Sequence, residues 1–332
     1  MVDSVMKSSS KILGVGSYLP SGVVDNLKLS EKVDTSDEWI TSRTGIKARR
    51  FANEKEATSD LAVRAAQNAL IDAGLTAQDI DLIIVATITP DMAFPSTACL
   101  IQHKLGIPKV ASFDIEAACS GFLYALDVAD GMLSSNRYKC ALVVGAEKLS
   151  SIMDWEDRTT CVLFGDGAGA AILSNVGSGS ELIGFKSGAD GSNPNLLYQP
   201  AGGSLLPASQ DSLSSRGHFL KMNGREIFKS AVRVMERASR ELLEAHGFTE
   251  NDVDHVIPHQ ANARIVESLS QRLEIPLGKF FCNLDKYGNT SAASIPIALD
   301  EARKSLILKK GQLGLFVAFG AGLTWSAVLV RF

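Results

Sequence analysis

The feature that most constrains the fold of this chain is an internal repeat. Residues 74–86 (GLTAQDIDLIIVA) align without gaps with residues 247–259 (GFTENDVDHVIPH), and the Gly, the Thr, both Asp residues and one Ile coincide. Each segment follows a helical pattern, begins with a Gly that ends the helix, continues with a Thr-x-x-Asp capping box and runs into an apolar strand. Farther along, residues 125–127 match residues 298–300 at the same offset. We therefore predict a duplicated α/β chain.

The duplication also indicates where a functional site would lie. We assign the first copy to residues 1–180 and the second copy to residues 181–332. Helices that alternate with continuous apolar strands predict mixed, mostly parallel sheets that are covered by helices. Two like halves leave a cleft at equivalent strand ends, so the functional residues should come from matching places in each copy. Residues 190–217, rich in Gly, Ser, Pro and Asn, are either a disordered loop or a lid on that cleft.

Composition and charge exclude several classes of partner. With 45% hydrophobic and 21% charged residues the chain is an ordinary globular protein, and its net charge of −4 provides no basic field for nucleic acid. The apolar stretch at residues 314–330 is broken by glycines, so we interpret it as two strands around a turn and expect no membrane span. Residues 1–11 lack the apolar core of a signal peptide, which predicts a cytoplasmic protein with reduced thiols.

Cys119 is the cysteine whose context suggests chemistry. A predicted strand over residues 110–115 runs through small residues into a helix, which places Cys119 on a tight turn at the helix N-terminus. Unpaired amides and the helix dipole favour a thiolate there, so we expect a pKa below the free value of about 8.5. The alternative is a buried small hydrophobe, the usual state of a free cysteine. We predict that state for Cys99, Cys140, Cys161 and Cys282.

The second copy offers His259 at the end of its apolar strand. Pro258 makes a continuing helix unlikely to form, so the imidazole lies at a strand tip, where ligands bind in α/β proteins. His255 lies four residues earlier, but the order is wrong for a helical zinc pair and no third ligand is visible. We therefore expect no metal, and the remaining alternative is a histidine with a structural role.

Asn289 occupies nearly the place in the second copy that the cysteine holds in the first. It lies in a glycine-containing turn before a helix, where an Asn also serves to cap the helix or turn the chain. Near the end of the chain Gly320 and Gly322 flank Ala321, where backbone amides can point into the cleft as an oxyanion hole requires. The alternative for these glycines is tight-turn geometry. The cluster at residues 165–169 lacks dinucleotide spacing, which argues against a nucleotide cofactor.

Eight short motifs along the chain are typical of one known family. They are DTSDEWI (34–40), RTGI (43–46), AFPSTA (93–98), AACSGF (117–122), FGDGAGA (164–170), PHQAN (258–262), GNTSAA (288–293) and GLTW (322–325). Together they make the chain, from residue 12 to residue 332, resemble β-ketoacyl-acyl-carrier-protein synthase III. This resemblance implies a duplicated thiolase-like fold of five layers, αβαβα, and a homodimeric acyltransferase that initiates bacterial fatty-acid synthesis.

The resemblance also implies a reaction. A short acyl-CoA, commonly acetyl-CoA, would condense with malonyl-acyl-carrier-protein and release CoA and CO₂. Cys119 would be the acylated nucleophile, while His259 and Asn289 would hold the malonyl thioester carbonyl. The backbone N–H groups of Cys119 and Ala321 would form the oxyanion hole. Because the family often has Gly in place of Ala321, this residue must tolerate the required backbone angles. No cofactor is implied, since acyl-CoA is a substrate.

The same resemblance assigns residues to the two substrates and to a second copy of the chain. Phe94 is similar to a residue that crosses the homodimer interface and walls the partner's acyl pocket. On a predicted helix that begins near Asn223, basic residues recur every four positions and form a stripe (Arg225, Lys229, Arg233 and Arg237). The CoA-binding candidates are Thr35, Trp39, Arg43, Arg158, Met222, Phe228, Ala261 and Asn262. The candidates for docking the acidic carrier protein are Gln260, Ala261, Asn262, Ala263, Arg264, Lys229 and Arg272.

Other functions remain open at this point. A cysteine acyl-hydrolase could use Cys119 and His259, but it would release a free acid and would not need Asn289. A lipid- or partner-binding protein without activity would not need the nucleophile turn. Among condensing enzymes, elongating synthases use two His and thiolases a second Cys, whereas chalcone-synthase relatives share the Cys-His-Asn set but are usually longer.

Overall fold

The structure, a computed structural model, describes residues 10–332. Of residues 1–11, where no signal peptide is expected, residues 1–9 lie outside the described residues. The strands are β1 (Lys11–Tyr18), β2 (Gly22–Asp25), β3 (Ala48–Phe51), β4 (Leu82–Ala86), β5 (Ala111–Ile115), β6 (Cys140–Glu147), β7 (Gly167–Ser174), β8 (Ser180–Ala189), β9 (Leu197–Tyr198), β10 (Lys221–Met222), β11 (His255–Pro258), β12 (Leu313–Gly320) and β13 (Thr324–Arg331). The α-helices are α1 (Asn26–Ser30), α2 (Asp37–Thr44), α3 (Thr58–Ala73), α4 (Thr97–Leu105), α5 (Gly121–Ser134), α6 (Gln210–Ser214), α7 (Gly224–Ala245), α8 (Ala263–Leu273), α9 (Leu284–Tyr287) and α10 (Ser294–Lys304).

The two copies of the sequence repeat build the same run of elements. In the first, β1, α3, β4, α4, β5, α5, β6 and β7 follow one another; in the second, β8, α7, β11, α8, α10, β12 and β13 do so. The place of β5 is taken in the second copy by an isolated parallel bridge between Val256 and Phe280. Even the loop anchors repeat, since Asp81 accepts a hydrogen bond from the backbone of Cys140 and Asp254 accepts one from Leu313. A division of the chain after residue 180 stays a prediction.

Nine strands form one mixed sheet in the order β11-β12-β13-β8-β1-β7-β6-β4-β5, and the pairs β2-β3 and β9-β10 form two small separate sheets. Parallel pairs join β4 to β5 and β6, and β11 to β12, whereas the pairs toward the middle of the sheet are antiparallel. The expectation of mostly parallel sheets is therefore wrong in this detail. The turn between β12 and β13 is far too short for the dozen residues that a parallel crossover needs.

Five layers of structure enclose the core. Helices α3 and α4 pack on the outer face of the first copy's strands, and α7 and α8 cover the outer face of the second copy's strands. Helices α5 and α10 form the middle layer, where Phe122 and Leu299 share one apolar cluster with Val143 and Phe316 from the two sets of strands. This arrangement confirms the predicted αβαβα order.

Contacts between the copies are exchanged symmetrically. Asp127 on α5 accepts a hydrogen bond from Ser187 on β8 at 3.1 Å, and Asp300 on α10 accepts one from Ser17 on β1 at 2.5 Å. Each middle helix is therefore tied to the first strand of the other copy. The turns that precede α5 and α10 consequently meet at the centre of the molecule, at the carboxyl ends of the strands.

The excursion at residues 190–217 is ordered and contains β9 and α6. Ala201 is buried, and its backbone N–H donates to the carbonyl of Gly217 at 2.8 Å. The disordered-loop alternative is thus wrong, and the segment borders the site described below. Among the described residues, no helix combines the length and the apolar character that crossing a membrane requires.

Candidate active site

Cys119 lies on a turn that the backbone holds in an unusual shape. After β5 the chain forms a 3₁₀ turn at Ala118–Ser120 and passes directly into α5. Ala118 has a φ of 46°, a left-handed conformation that is uncommon outside glycine. Cys119 is only 7% exposed. The structure therefore confirms the predicted position of this cysteine at the N-terminus of a helix.

The ionisation of Cys119 differs from the expectation. Burial raises the pKa of its thiol to about 12, and the nearby carboxyl group of Glu147 acts in the same direction, whereas a hydrogen bond with Ser291 acts against both. The prediction of a lowered pKa is therefore wrong, because removal of a thiolate from water outweighs the favourable turn. Burial therefore favours the neutral thiol of Cys119 over its thiolate.

His259 follows β11 directly and is fixed through both its backbone and its ring. Its N–H donates to the carbonyl of Val317 at 2.8 Å, and its Nδ1 lies 2.7 Å from the hydroxyl oxygen of Ser294, the first residue of α10. Burial lowers the pKa of His259 to about 3, so the ring is neutral at physiological pH. The Ser294 contact leaves Nε2 available to a substrate.

His255 does not join His259. Its Nε2 bonds to the side-chain oxygen of Gln312 at 3.1 Å. Within residues 10–332, no group of three His, Cys, Asp or Glu side chains is arranged to hold a metal ion.

Asn289 is held in place by its backbone and by one side-chain oxygen. Its N–H donates to Leu163, its carbonyl accepts from Gly165, and its Oδ1 accepts the backbone N–H of Ser291 at 2.8 Å. The side chain is buried, with 7% of the residue exposed. Because Oδ1 is occupied, the amide NH₂ is the part of Asn289 that can meet a substrate.

Two cavities meet at Cys119. The smaller, of about 130 Å³, is lined by Cys119, His259 and Asn289 together. The larger, of about 440 Å³, is also lined by Cys119, and Ala321 and Tyr198 contribute to its wall. The sulfur atom can therefore receive a group from one cavity and hold it in the other.

The backbone around Ala321 explains why this position accepts alanine although the family often has glycine there. A Cβ added to Gly320 would lie 2.7 Å from the backbone nitrogen of Cys119, and Gly322 has a φ of 133°. Both flanking positions thus require glycine, the first for space and the second for conformation. Ala321 itself is not among the residues with positive φ, so its side chain costs no strain. Its N–H remains available next to that of Cys119.

The CoA candidates form a connected surface at the mouth of the smaller cavity. The guanidinium carbons of Arg43 and Arg158 lie 4.7 Å and 5.4 Å from the ring centroid of Trp39. Asn262 joins this group, since its amide donates to the carbonyl of Arg43 at 3.2 Å. Thr35 is close to Trp39 in the sequence, and its buried hydroxyl has no hydrogen-bond partner among the described residues. The candidates that line the smaller cavity itself are Met222, Phe228, Ala261 and Asn262.

The docking candidates divide into exposed and buried residues. Gln260 is 1% exposed, and its amide donates to the carbonyls of Pro258 and Phe281, so the prediction that it docks a partner is wrong. Lys229 and Arg272 line a groove of about 480 Å³ between α7 and α8. Arg264 is exposed and donates to the carbonyl of Ser42, and Ala263 precedes it as the half-buried first residue of α8.

The basic stripe on α7 is partly neutralised. Lys229 pairs with Glu226 at 3.1 Å, and Arg237 lies 3.8 Å from Glu241. These pairs agree with the alternative of a solvated face for part of the stripe. Arg233 lines the same groove as Lys229.

Phe94 does not line either cavity of its own chain. It is 84% exposed, and Met92 beside it is 48% exposed. This leaves its predicted place at an interface untested.

The remaining cysteines follow the prediction in part. Cys140 and Cys161 are buried, whereas Cys99 and Cys282 are exposed, so the expectation is wrong for the latter two. Apolar neighbours in sequence did not reveal that these two positions face outward.

Three residues of the site were not predicted. Ser291 and Ser294 bond to the site residues described above, and Glu147 is a buried carboxyl group that accepts a hydrogen bond from Ser291. The repeat carried a signal for Glu147, since it stands at the position that Gly320 occupies in the second copy.

A duplicated five-layer α/β fold, with a buried cysteine on the turn before one middle helix, defines the thiolase-type condensing enzymes. Two family models match this chain, 3-oxoacyl-[acyl-carrier-protein] synthase III at residues 113–191 and its C-terminal part at residues 243–332. A β-ketoacyl-[acyl-carrier-protein] synthase III from Caldanaerobacter subterraneus subsp. tengcongensis is 54% identical over 98% of both chains. The chain belongs to the β-ketoacyl-acyl-carrier-protein synthase III family.

Solved structures agree with this assignment. The crystal structure of a 3-oxoacyl-[acyl-carrier-protein] synthase III from Aquifex aeolicus is 51% identical, with a TM-score of 0.90 over 97% of this chain and 100% of that one. A structure of the corresponding enzyme from Thermus thermophilus is 44% identical, with a TM-score of 0.90 over 97% of this chain and 99% of that one.

Proposed function

We propose that this protein condenses a short acyl-CoA, acetyl-CoA in the first instance, with malonyl-acyl-carrier-protein to give a 3-ketoacyl-acyl-carrier-protein, CoA and CO₂. The observation that carries the proposal is the position of Cys119 between the two cavities, with His259 and Asn289 on the wall of one of them. The product would start a fatty-acid chain. The family assignment supports the same reaction.

In the first half-reaction Cys119 takes the acyl group. Its sulfur attacks the thioester carbonyl of acyl-CoA after losing a proton, and the N–H groups of Cys119 and Ala321 stabilise the oxygen anion that forms. Collapse of this intermediate breaks the bond to the CoA sulfur, which leaves and gains a proton. The acyl group then occupies the larger cavity.

In the second half-reaction His259 and Asn289 act on the malonyl thioester. Loss of CO₂ leaves an enolate, and its oxygen accepts hydrogen bonds from the Asn289 amide and from Nε2–H of neutral His259. The enolate carbon attacks the acyl carbonyl on Cys119, which forms the new carbon–carbon bond. Collapse of this intermediate breaks the bond to the Cys119 sulfur, and the thiolate that leaves takes up a proton from solvent. The low pKa of His259 suits this role, since a neutral ring donates without giving up its proton.

Trp39, Arg43 and Arg158 are proposed to hold the adenine nucleotide of CoA. With the Arg158 guanidinium 5.4 Å from the indole centroid, no space remains for a purine between the two planes, because each stacking contact needs about 3.5 Å. Binding would therefore require the Arg158 side chain to leave Trp39 and the backbone of Asp34, to which it donates at 3.0 Å. Arg43 can stay in place.

Carrier-protein docking is proposed for the exposed cations around the same entrance, Lys229, Arg264 and Arg272. Their positions on α7 and α8, beside the strand end that carries His259, would attract an acidic partner. Phe94, an exposed aromatic ring, is proposed to pack against a second copy and to close its larger cavity. The reaction as written needs no cofactor, and a cytoplasmic location remains a prediction.

The proposal is tested with the purified chain and acetyl-CoA, followed by intact-mass measurement. We expect an adduct of one acetyl group on Cys119, and addition of malonyl-acyl-carrier-protein should discharge it with release of labelled CO₂. A parallel reaction without the carrier protein is the control and should keep its adduct. Release of free acetate in that control would indicate a hydrolase, and absence of any adduct would indicate a binding protein.

A further inference from the structure

Thr324, the first residue of β13, connects the second copy of the repeat to the first through its side chain. Its hydroxyl donates to two backbone carbonyl oxygens, that of Ala117 at 2.9 Å and that of Ala321 at 3.0 Å. Ala117 lies just before the turn that carries Cys119, and Ala321 lies in the loop between β12 and β13. The reaction proposed above uses N–H groups of both segments but assigns no role to Thr324.

The loop and the turn are in close contact. A Cβ added to Gly320 would lie 2.7 Å from the backbone nitrogen of Cys119. In the part of the chain that the structure describes, no backbone hydrogen bond joins the two segments, and the hydroxyl of Thr324 supplies the polar link between them. The loop is also tied to Asp190, since the backbones of Leu323 and Asp190 exchange hydrogen bonds at 2.7 Å and 2.8 Å.

The hydroxyl of Thr324 fixes the separation of two carbonyl groups. Carbonyl oxygens carry partial negative charge, so without a hydrogen between them the two oxygens would repel each other. Each of these carbonyls belongs to the peptide plane next to the one that carries a donor N–H, that of Cys119 in the turn and that of Ala321 in the loop. Because peptide planes are rigid, a displaced carbonyl also displaces the neighbouring N–H.

We propose that Thr324 is a positioning residue that sets the spacing of the two oxyanion donors and thereby accelerates acylation of Cys119. The inference deepens the acylation step proposed above and rests on it. The oxygen anion that forms on the thioester carbonyl needs both N–H groups at hydrogen-bond distance at the same time. A wider spacing weakens one of the two bonds, which lowers the rate rather than the affinity for the substrate.

Loss of the hydroxyl should cost little stability. The carbonyl of Ala117 also accepts the backbone N–H of Ser120 at 3.1 Å, and Ala321 is only partly buried, so water can hydrate its carbonyl. Thr324→Val keeps the branched shape, which suits a strand, and removes only the hydroxyl. This variant therefore separates an effect on positioning from an effect on folding.

The test acetylates Cys119 without CoA. p-Nitrophenyl acetate transfers its acetyl group to a thiol through a tetrahedral oxygen anion and releases nitrophenolate, whereas iodoacetamide alkylates a thiol by displacement of iodide, without such an anion. Both reactions at Cys119 are followed by peptide mass mapping, and the ratio of their rates reports on the oxyanion donors. The exposed Cys99 and Cys282 report reagent reactivity in the same samples.

Thr324→Val should slow acetylation by the ester about tenfold and leave the alkylation rate within about twofold of that of the natural protein. Thr324→Ser keeps a hydroxyl at the same position and should keep both rates. Equal slowing of both reactions in Thr324→Val would mean that the hydroxyl positions the thiol, and unchanged rates would mean that acylation does not depend on it. Either result overturns the proposal, as would a Ser variant as slow as the Val variant, or a natural protein whose Cys119 the ester does not acetylate.

Two further variants complete the test. Thr324→Ala also removes the hydroxyl and keeps the proposal open to refutation if Thr324→Val does not fold. Ser326→Ala is the matched control, since Ser326 lies two residues along the same strand and its hydroxyl lies 3.0 Å from that of Ser187 on β8 instead. It should keep both rates. Acetylation of Cys119 by the ester but not by acetyl-CoA would count against the proposed function alone.

Discussion

The turns that precede α5 and α10 are the same structure used twice for different chemistry. Each is a 3₁₀ turn that runs directly into a middle helix, and each contains one left-handed residue, Ala118 with a φ of 46° and Ser291 with a φ of 49°. The first turn carries the nucleophile Cys119, and the second carries the proposed donor Asn289. The duplication thus supplied the backbone twice, and a few side chains separate the two roles.

The residues at the strand ends beneath these two turns differ in size and charge. A glycine, Gly320, lies against the Cys119 turn, whereas Glu147 at the equivalent strand position lies under the Ser291 turn. Space is needed where the tetrahedral intermediate forms, whereas the side chain of Glu147 fills the equivalent place under the second turn and accepts a hydrogen bond from Ser291. The comparison teaches that the two halves of one fold differ where the turn of one half contacts a strand end of the other half.

The largest expected effect separates the acylation step, assigned to the first turn, from the decarboxylation step, assigned to the second. Cys119→Ala should abolish the acetyl adduct, because no other described thiol lines the cavities, yet leave measurable CO₂ release from malonyl-acyl-carrier-protein, since the second turn is intact. Intact-mass analysis and labelled CO₂ measure the two steps. Cys140→Ala, which removes another buried cysteine, is the control and should keep both. An adduct that survives in Cys119→Ala would assign the nucleophile to another residue.

The next effect concerns the second turn. Asn289→Ala should retain the acetyl adduct but lose about 10²–10³-fold in CO₂ release, because one donor to the enolate is missing. Asn289→Asp keeps the oxygen that accepts from Ser291 and should be equally impaired. Equal loss of both half-reactions, or full activity of the Asp variant, would show that Asn289 only holds the turn together.

The third prediction concerns the close contact between Gly320 and the Cys119 turn. Gly320→Ala should lower the free energy of unfolding by about 1–3 kcal/mol and slow acetylation, since the new Cβ meets the Cys119 backbone at 2.7 Å. Chemical denaturation measures the first effect. The matched change Ala321→Gly should alter stability by less than about 1 kcal/mol. A Gly320→Ala protein of unchanged stability would contradict the close packing described here.

A smaller effect is expected where the carrier protein is proposed to dock, mainly on the second copy. Charge reversal of Lys229 and Arg264 to Glu should weaken binding of acyl-carrier-protein about tenfold at low salt, and less at high salt. Lys309→Glu with Lys310→Glu changes the net charge equally at the other end of β12 and is the control. Unaltered affinity at low salt would remove this face from the docking surface.

The smallest expected effect lies on the first copy. Arg158→Ala should raise the KM for acetyl-CoA about fivefold, because the guanidinium that would stack on the adenine is lost, and leave the KM for malonyl-acyl-carrier-protein unchanged. Arg137→Ala removes a similar contact, to Tyr138, far from the site and is the control. Equal changes in both KM values would argue against a role specific to CoA.

Much of this architecture could be predicted because its signals are local. Gly74 and Gly247 end their helices in the left-handed conformation, and the Thr-x-x-Asp boxes close after both. The repeat then located Cys119 and Asn289 on equivalent turns. The direction of the strands was harder to predict, because it depends on whether a connection crosses over the sheet. The short turn from β12 to β13 does not cross over, so these two strands are antiparallel.

Properties that depend on burial could not be predicted. The raised pKa of Cys119 follows from its loss of water contact, which outweighs a helix terminus that is visible in the sequence. Gln260 lies in a motif that suggested docking, yet its amide is used inside the protein. Glu147 stands at the repeat position of Gly320, but its burial and its hydrogen bond with Ser291, a residue far away in the chain, could not be predicted.

The middle layer of helices has a consequence for synthesis in the cell. A ribosome that has just completed β7 has released α5 with one side packed on its own strands and the other side still uncovered. The partner surfaces, such as Phe316 and Val328, belong to segments not yet translated. At about 5–20 residues per second, the wait is on the order of 10–30 s. We therefore expect the nascent chain to expose an apolar face during that interval, which is a surface that chaperones at the exit tunnel bind.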